Sequence, residues 1–519
     1  MIRILNPKNF SNMSAHSDFD VIVIGAGLGG LTCAAKLASR GRHVLLIERK
    51  PHIGGTSFHF FRQGFSFPMG PLSFSHPDVV LNILKEIGTA DILDFQRSHF
   101  QLLTPDLDIV MSKPMSEIEG SLCIKFPNES AGIREFFSRI KAIMPLTHER
   151  HMWHPDYRMI GDPAEPAPEG GIQALDECDR KLAKDITDEL FEDLTLRNFL
   201  GNQGSYVPRM SLSYLASMWD VMSETGIWYP QGGTQHLASI LHDTFQKFGG
   251  ETRVAQPVQK ILVDKGRIEG VVTPDKKTIR SNWVVSNADP KTVFMTLISS
   301  DLLPEAFTRS VRTIPYTPSE ICVYLGVDPS HVDFSRMRAP HALYRKKIQV
   351  KAVTHPFDFE DREFEVCLWS KKDPRNAPDG KAAVILRCGM DYDLFNDWRT
   401  GERQRKAGYK EWKTDLARRL IRTAEGLLPG LEQSITTIEV ATPLTYRDWG
   451  YRYKGSLAGW TWHSEQAQNL PGKLLITTPF PNLLLAGIFA TSELFLGGVP
   501  TAMYTGSQAA DFILDSYQS

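Results

Sequence analysis

No stretch of this 519-residue chain reaches the roughly 18 uninterrupted apolar residues of a membrane-spanning helix, although 42% of its residues are hydrophobic. Cysteine is sparse and scattered. Cys33, Cys123, Cys178, Cys322, Cys367 and Cys388 form no C-x-x-C pair and have no His-rich companion, so neither zinc nor an iron–sulfur cluster is expected, and no other metal. Such singles read as small buried apolar residues of a reducing compartment. Neither sign of charge dominates. Lys plus Arg total 58 against 60 acidic residues, and no basic block calls for nucleic acid. Residues 1–17 lack a charged start followed by an apolar run, so a secretory leader is not expected. The chain is expected in the cytoplasm, soluble or resting on a membrane without crossing it. Its composition is ordinary for a globular protein, and its length exceeds one simple domain.

The informative part begins at Asp20–Ile24 (DVIVI), an apolar β-branched run of the kind that forms a buried parallel strand. It leads into Gly25-Ala26-Gly27-Leu28-Gly29-Gly30, then into a helical spacing through Leu31, Ala34, Ala35 and Leu37. Gly41 stops that helix, and His43–Glu48 (HVLLIE) reads as a second strand. In this arrangement Gly25 permits a tight turn, Gly27 lets backbone approach a pyrophosphate, and Gly30 lets helix and strand pack closely. The helix N-terminus offers unpaired N–H groups and a positive dipole end to the phosphates. Glu48 closes the second strand, where a carboxylate accepts hydrogen bonds from ribose hydroxyls and repels a 2′-phosphate. The fold expected is α/β and Rossmann-like.

Arg49 and Gly54-Gly55 extend the pattern to E-R-x-x-x-x-G-G. This resembles the flavoprotein group that includes amine oxidases and phytoene desaturases, in which the paired glycines mark FAD. Near the other end, Leu483–Ala486 (LLLA) reads as a buried strand, followed by Gly487 and by Gly497-Gly498-Val499-Pro500. Pro500 suits the first turn of a helix that continues to about Leu514. A second G-x-G-x-x-G is missing, so NAD(P)H is not expected as the obligatory reductant.

Between these ends, Tyr229-Pro230-Gln231-Gly232-Gly233 precedes a helix expected over Thr234–Phe248. Strands are expected at Val258–Val263, Arg267–Val272 and Trp283–Ser286. The FAD-binding domain is therefore discontinuous, over 19–75, 228–300 and 473–519. A mixed α+β substrate domain takes 76–227 and 301–472. Within it, Leu182, Ile186, Leu190 and Leu194 read as one stripe across a charged helix, preceded by an exposed loop over Gly161–Gly171. Strands are expected at Ile321–Val327, Phe364–Trp369 and Ala382–Leu386, and an amphipathic helix over Gly401–Leu428.

Four blocks, Asp20–Gly70, Tyr229–Asp289, Ala441–Trp460 and Asn482–Ile513, resemble the phytoene desaturase family, which includes carotenoid isomerases and retinol saturases. Ala441-Thr442-Pro443-Leu444-Thr445, with Gly455 and Gly459-Trp460 downstream, is the most discriminating block. The resemblance implies a two-domain, amine-oxidase-like flavoprotein in which Gly25, Gly27, Gly29, Gly30, Glu48, Arg49, Gly54 and Gly55 meet FAD. It adds Val258 at the adenine, and Gly487, Gly498 and Val499. One departure is Phe67-Pro68-Met69-Gly70, where the family commonly has an acid at the position of Pro68.

The chemistry implied is hydride exchange between flavin N5 and carbon, on a polyene or isoprenoid lipid. An apolar substrate needs an aromatic channel, for which Trp228, Tyr229, Trp460 and Phe495 are candidates. His59, just beyond the paired glycines, is the candidate proton acceptor, with His463 second. Two other readings stand beside this one: an oxidase of a polar small molecule such as an amine, and a flavin-binding protein without catalysis. A lipid substrate would also call for peripheral membrane contact, expected from the helices of the first inserted piece and from Tyr214–Trp228.

Overall fold

The computed structural model describes residues 17–89, 93–111, 114–148, 167–201, 210–348, 355–460, 476–490 and 498–517. Five parallel strands form its first sheet, in the order Leu483–Leu485, Thr278–Ser286, Phe19–Ile24, Val44–Ile47 and Glu251–Arg253. Val21, Ile22, Val23, Val44, Leu45 and Leu46 have no solvent exposure, as strands covered on both faces require. The covering helices include Leu28–Ser39, Gly233–Lys247 and Gly498–Ser516. Lys260–Asp264 and Arg267–Val272 extend the sheet as an antiparallel meander on Thr278–Ser286.

Register decides where a ligand can lie. Ile24 pairs with both Ile47 and Ser286, and Ser286 with Leu485. Four strands therefore end level, and the segments after them emerge at one edge of the sheet. The carboxyl edge of a parallel sheet is where such folds bind ligands.

A second sheet faces that edge. Its order is Ile435–Ala441, Ser319–Val327, Ala382–Met390, Glu363–Leu368, His341–Arg345, Phe100–Leu103 and Asp108–Val110. All pairings are antiparallel except His341–Arg345 with Phe100–Leu103. Side chains alternate along each strand. Ile321, Val323, Leu325 and Val327 pack with Leu416, Leu420 and Ile421 of the helix Tyr409–Ala424. Cys322 and Tyr324 turn the other way, onto Phe65, Phe67, Tyr229 and Trp369. The helices of 115–223 build a third core around Trp219, ringed by Phe136, Phe137 and Phe199.

Several expectations need correction. The stretch Gly401–Leu428 is not one helix. Arg399–Gly401 and Gln404–Arg405 form a hairpin, and the helix spans only Tyr409–Ala424 after Gly408 at φ +81°. Asp448 imposes this by binding Arg399, Arg405 and the Arg403 N–H. The stripe Leu182/Ile186/Leu190/Leu194 is broken between Ala183–Leu190 and Leu194–Leu200, because the Asp193 carboxylate caps a new helix by accepting the Leu196 N–H at 3.0 Å. The strand expected to reach Trp369 ends at Leu368, where a short helical turn begins. Tyr214–Trp228 supplies no surface patch through its Trp219, which is wholly buried. In the Gly161–Gly171 loop, 161–166 lie outside the described residues, and Gly171 opens the helix Gly171–Arg180.

Candidate cofactor and active site

The segments leaving the level strand ends surround a cavity of about 630 Å³. Gly25, at φ +96°, turns the chain out of the first strand. The helix Leu28–Ser39 then begins with Gly27 at its cap, without a side-chain cap bond and without an acid in its first turn. Uncapped helical amides thus face the cavity, which is what a phosphate requires. Glu48 is buried, and its carboxylate accepts the Ala26 N–H and the Lys50 N–H, both at 2.8 Å. Gly54, at φ +97°, donates its N–H to the Ala26 carbonyl at 2.7 Å, seating the paired glycines directly on the first loop.

Asn287, at the end of Thr278–Ser286, is the residue around which these glycines close. A Cβ on Gly27 would lie 2.6 Å from its amide nitrogen, and one on Gly487 would lie 2.2 Å from its amide oxygen. Gly25, Gly27, Gly29, Glu48, Arg49, Gly54, Gly55, Val258, Gly498 and Val499 all line the cavity. Gly30 and Gly487 stand behind this wall and hold the first helix and the last strand against it. Uncapped amides, missing Cβ atoms and a ribose-ready carboxylate fit a dinucleotide such as FAD.

The candidate channel and base residues that are described, Trp228, Tyr229, Trp460 and His59, lie off the cavity wall. Trp460 is wholly buried in the first core and donates its indole N–H to the Phe489 carbonyl at 3.1 Å. Trp228 donates its own to the Thr225 carbonyl at 3.1 Å. Tyr229 stands edge-on to Trp369, with ring centroids 5.4 Å apart, and burial raises its hydroxyl to about 12. His59 is off the cavity wall. Its Nδ1 meets the Ser66 hydroxyl at 3.1 Å, its Nε2 has no hydrogen-bond partner among the described residues, and burial lowers its pKa to about 4. It is therefore neutral at neutral pH. Phe495 and His463 lie outside the described residues.

The opposite wall comes from the second sheet and carries a charged row that motif reading does not supply. Arg387 meets Glu320 at 2.8 Å and Glu365 at 3.3 Å, and Glu365 meets His341 Nδ1 at 2.6 Å. The Tyr446 hydroxyl donates to Glu320. Glu320, Arg387 and Tyr446 line the cavity, and Tyr446 also belongs to the aromatic cluster of Phe65, Phe67, Tyr324 and Trp369. A signal was present: Glu320 and Arg387 are single charges inside the apolar runs Ser319–Val327 and Ala382–Met390. A charge inside a buried strand is costly and asks for a reason.

Residues 28–514 match the family described as flavin containing amine oxidoreductase. Among individual proteins, an inactive all-trans-retinol 13,14-reductase of Danio rerio is 23% identical, over 98% of this chain and 88% of its own. A chloroplastic prolycopene isomerase of Arabidopsis thaliana is 26% identical, over 95% and 82%. A lycopene-forming phytoene desaturase of Pantoea ananas is 24% identical, over 84% and 87%. The fold is shared with solved structures. An oxidoreductase from Methanosarcina mazei superposes with a TM-score of 0.63 at 17% identity, covering 94% of this chain and 99% of that one. Cyclohexylamine oxidase from Brevibacterium oxydans gives 0.61 at 16%, covering 97% and 100%.

Proposed function

The chain belongs to the flavin containing amine oxidoreductase family, as an FAD-dependent oxidoreductase, and we propose that it acts on carbon–carbon bonds of a polyene or isoprenoid lipid. The observation that carries this reading is the aromatic cluster of Phe65, Phe67, Tyr324 and Trp369, which adjoins the cofactor cavity through Tyr446. An extended apolar substrate needs dry, aromatic surroundings of this kind beside the cofactor. The prolycopene isomerase and the phytoene desaturase matched over most of the chain support the same reading. Bound FAD supplies a two-electron partner for hydride exchanged with carbon at N5. The protein's part is to exclude water and to hold the substrate against the cofactor.

The test is anaerobic. Oxidised and photoreduced holoprotein are each mixed with phytoene, prolycopene or all-trans-retinol in detergent, and separately with a set of primary amines. A polyene is expected to change the flavin spectrum or be converted, with the amines inert. Flavin bleached by an amine, with every polyene unchanged, would move the activity to polar substrates.

A lipid substrate must be collected from a bilayer, and we place that contact on the helices of 115–200. Ile124 is 85% exposed beside Lys125, and Leu194 is also exposed. No described helix is long and apolar enough to cross a membrane. Flotation with anionic liposomes, weakened by salt, is expected. Protein remaining at the bottom of the gradient with every lipid composition would rule this contact out.

A further inference from the structure

Four cationic side chains line the cavity, and among the described residues only one of them is in an ion pair. Arg387 is flanked by Glu320 and Glu365. Arg49, Lys50 and Arg452 have no described carboxylate within ion-pair reach. Arg49 instead lies over the Tyr451 ring, 3.5 Å from its centroid. Glu48 lies near Lys50 and offsets part of its charge, but forms no ion pair with it and accepts the Ala26 and Lys50 N–H groups instead.

Arg452 is the more unusual member. Its guanidinium donates to the carbonyls of Ser456 and Leu457, and to the Thr56 hydroxyl at 3.0 Å. Neutral acceptors orient the group without cancelling its charge. Thr56 directly follows the paired glycines, so Arg452 is tied to the loop that approaches the cofactor. Its own segment is held in a costly shape. Tyr451 at φ +56° and Lys454 at +47° are both left-handed, followed by Gly455 at +62°. Two left-handed non-glycine residues flanking one side chain are strain that some interaction must offset. Burial also lowers the Arg452 guanidinium to about 10, against the opposing pull of Tyr446, Glu320 and Asp289, and Lys50 to about 8, against that of Glu48.

We propose that Arg452, together with Lys50, is a counter-cation for the pyrophosphate of bound FAD. The pyrophosphate is the only formal anion of the oxidised cofactor, and it enters a cavity lined by four cationic side chains against the acids Glu48, Asp289 and Glu320, with Arg49, Lys50 and Arg452 outside any described ion pair. Strain in 451–455 and desolvation of the guanidinium are then met when the cofactor binds. The segment after Pro443 thereby becomes part of the cofactor site, although it comes from the opposite side of the cavity. This assignment depends on FAD alone and is independent of the polyene reading.

The experiment follows FAD retention by holoprotein during dialysis and its thermal unfolding. Arg452→Met is expected to weaken FAD binding at least tenfold, the scale of one charge-assisted contact, with Arg452→Lys intermediate. Its binding should also lose part of the wild-type salt dependence. Excess free FAD should restore the melting temperature to the wild-type value, since bound ligand stabilises by mass action. Lys50→Met provides a second variant with the same expected direction. FAD retention unchanged in both variants would overturn the proposal. So would a melting temperature that excess FAD fails to restore in Arg452→Met, because that marks a purely structural role.

Discussion

A methyl group on Gly30 would lie 2.0 Å from the Gly25 carbonyl oxygen, whereas one on Gly27 would meet the end of the Asn287 amide at 2.6 Å. Backbone cannot step aside without pulling the first strand from its helix, while an amide can rotate. Gly30→Ala is therefore expected to cost about 2 kcal/mol of stability and to yield protein without flavin. Gly27→Ala should keep its fold and lose only cofactor affinity. Urea unfolding of the FAD-free proteins, with flavin absorbance of the purified ones, separates the two. Equal destabilisation would mean the Asn287 side chain is as rigid as backbone. The glycines were legible because their spacing is local and each answers to one geometric need. Asn287 and Arg452 were not, since neither belongs to a spaced pattern. Their importance arises from what surrounds them in space.

At the scale of elements, short-range signals carried well where the partner was near. The strand Arg267–Val272 begins and ends as its apolar run does. The helix expected over Thr234–Phe248 spans Gly233–Lys247. The stretch after Gly401 failed for the opposite reason. Its apolar spacing suits a helix, yet Asp448, more than 40 residues away, draws in Arg399, Arg405 and the Arg403 N–H and folds a hairpin instead. Arg399 and Arg405 are each less than a quarter exposed, so removing their shared carboxylate leaves two half-buried cations uncompensated. Asp448→Ala is expected to cost about 3 kcal/mol, read as a lower urea midpoint at unchanged m-value. A midpoint equal to wild type would show that the hairpin forms without it.

The whole molecule is two sheets facing one cavity, and they were unequally legible. The first sheet announces its ligand through one contiguous loop. The second sheet puts Glu320 and Arg387 into the cavity wall and backs them with Glu365 and His341, on four strands, and no sequence spacing reveals that register. That arrangement also makes stability depend on acid. Burial lowers both His59 and His341 to about 4 in the folded protein, against about 6.5 in an unfolded chain. Between these values the unfolded chain binds the extra protons, so stability must fall as pH falls. Each histidine removes about 2 kcal/mol at pH 5 relative to pH 8, hence about 4 kcal/mol for the pair. Glu365, held to about 2 despite burial by the His341 hydrogen bond and the Arg387 charge, begins to contribute only at lower pH. Lys372, lowered to about 8 by burial, titrates at and above the upper end of this window. A loss of about 4 kcal/mol is a large share of the 5–15 kcal/mol typical of a domain. Urea unfolding at saturating FAD should therefore show a steep decline from pH 7 to pH 5. His52, His99 and His242, also lowered by burial, add to the decline in the same direction, so His59→Gln should reduce it by about 2 kcal/mol, the share of one such group. A decline of undiminished size in His59→Gln would place the acid sensitivity on groups other than this buried pair.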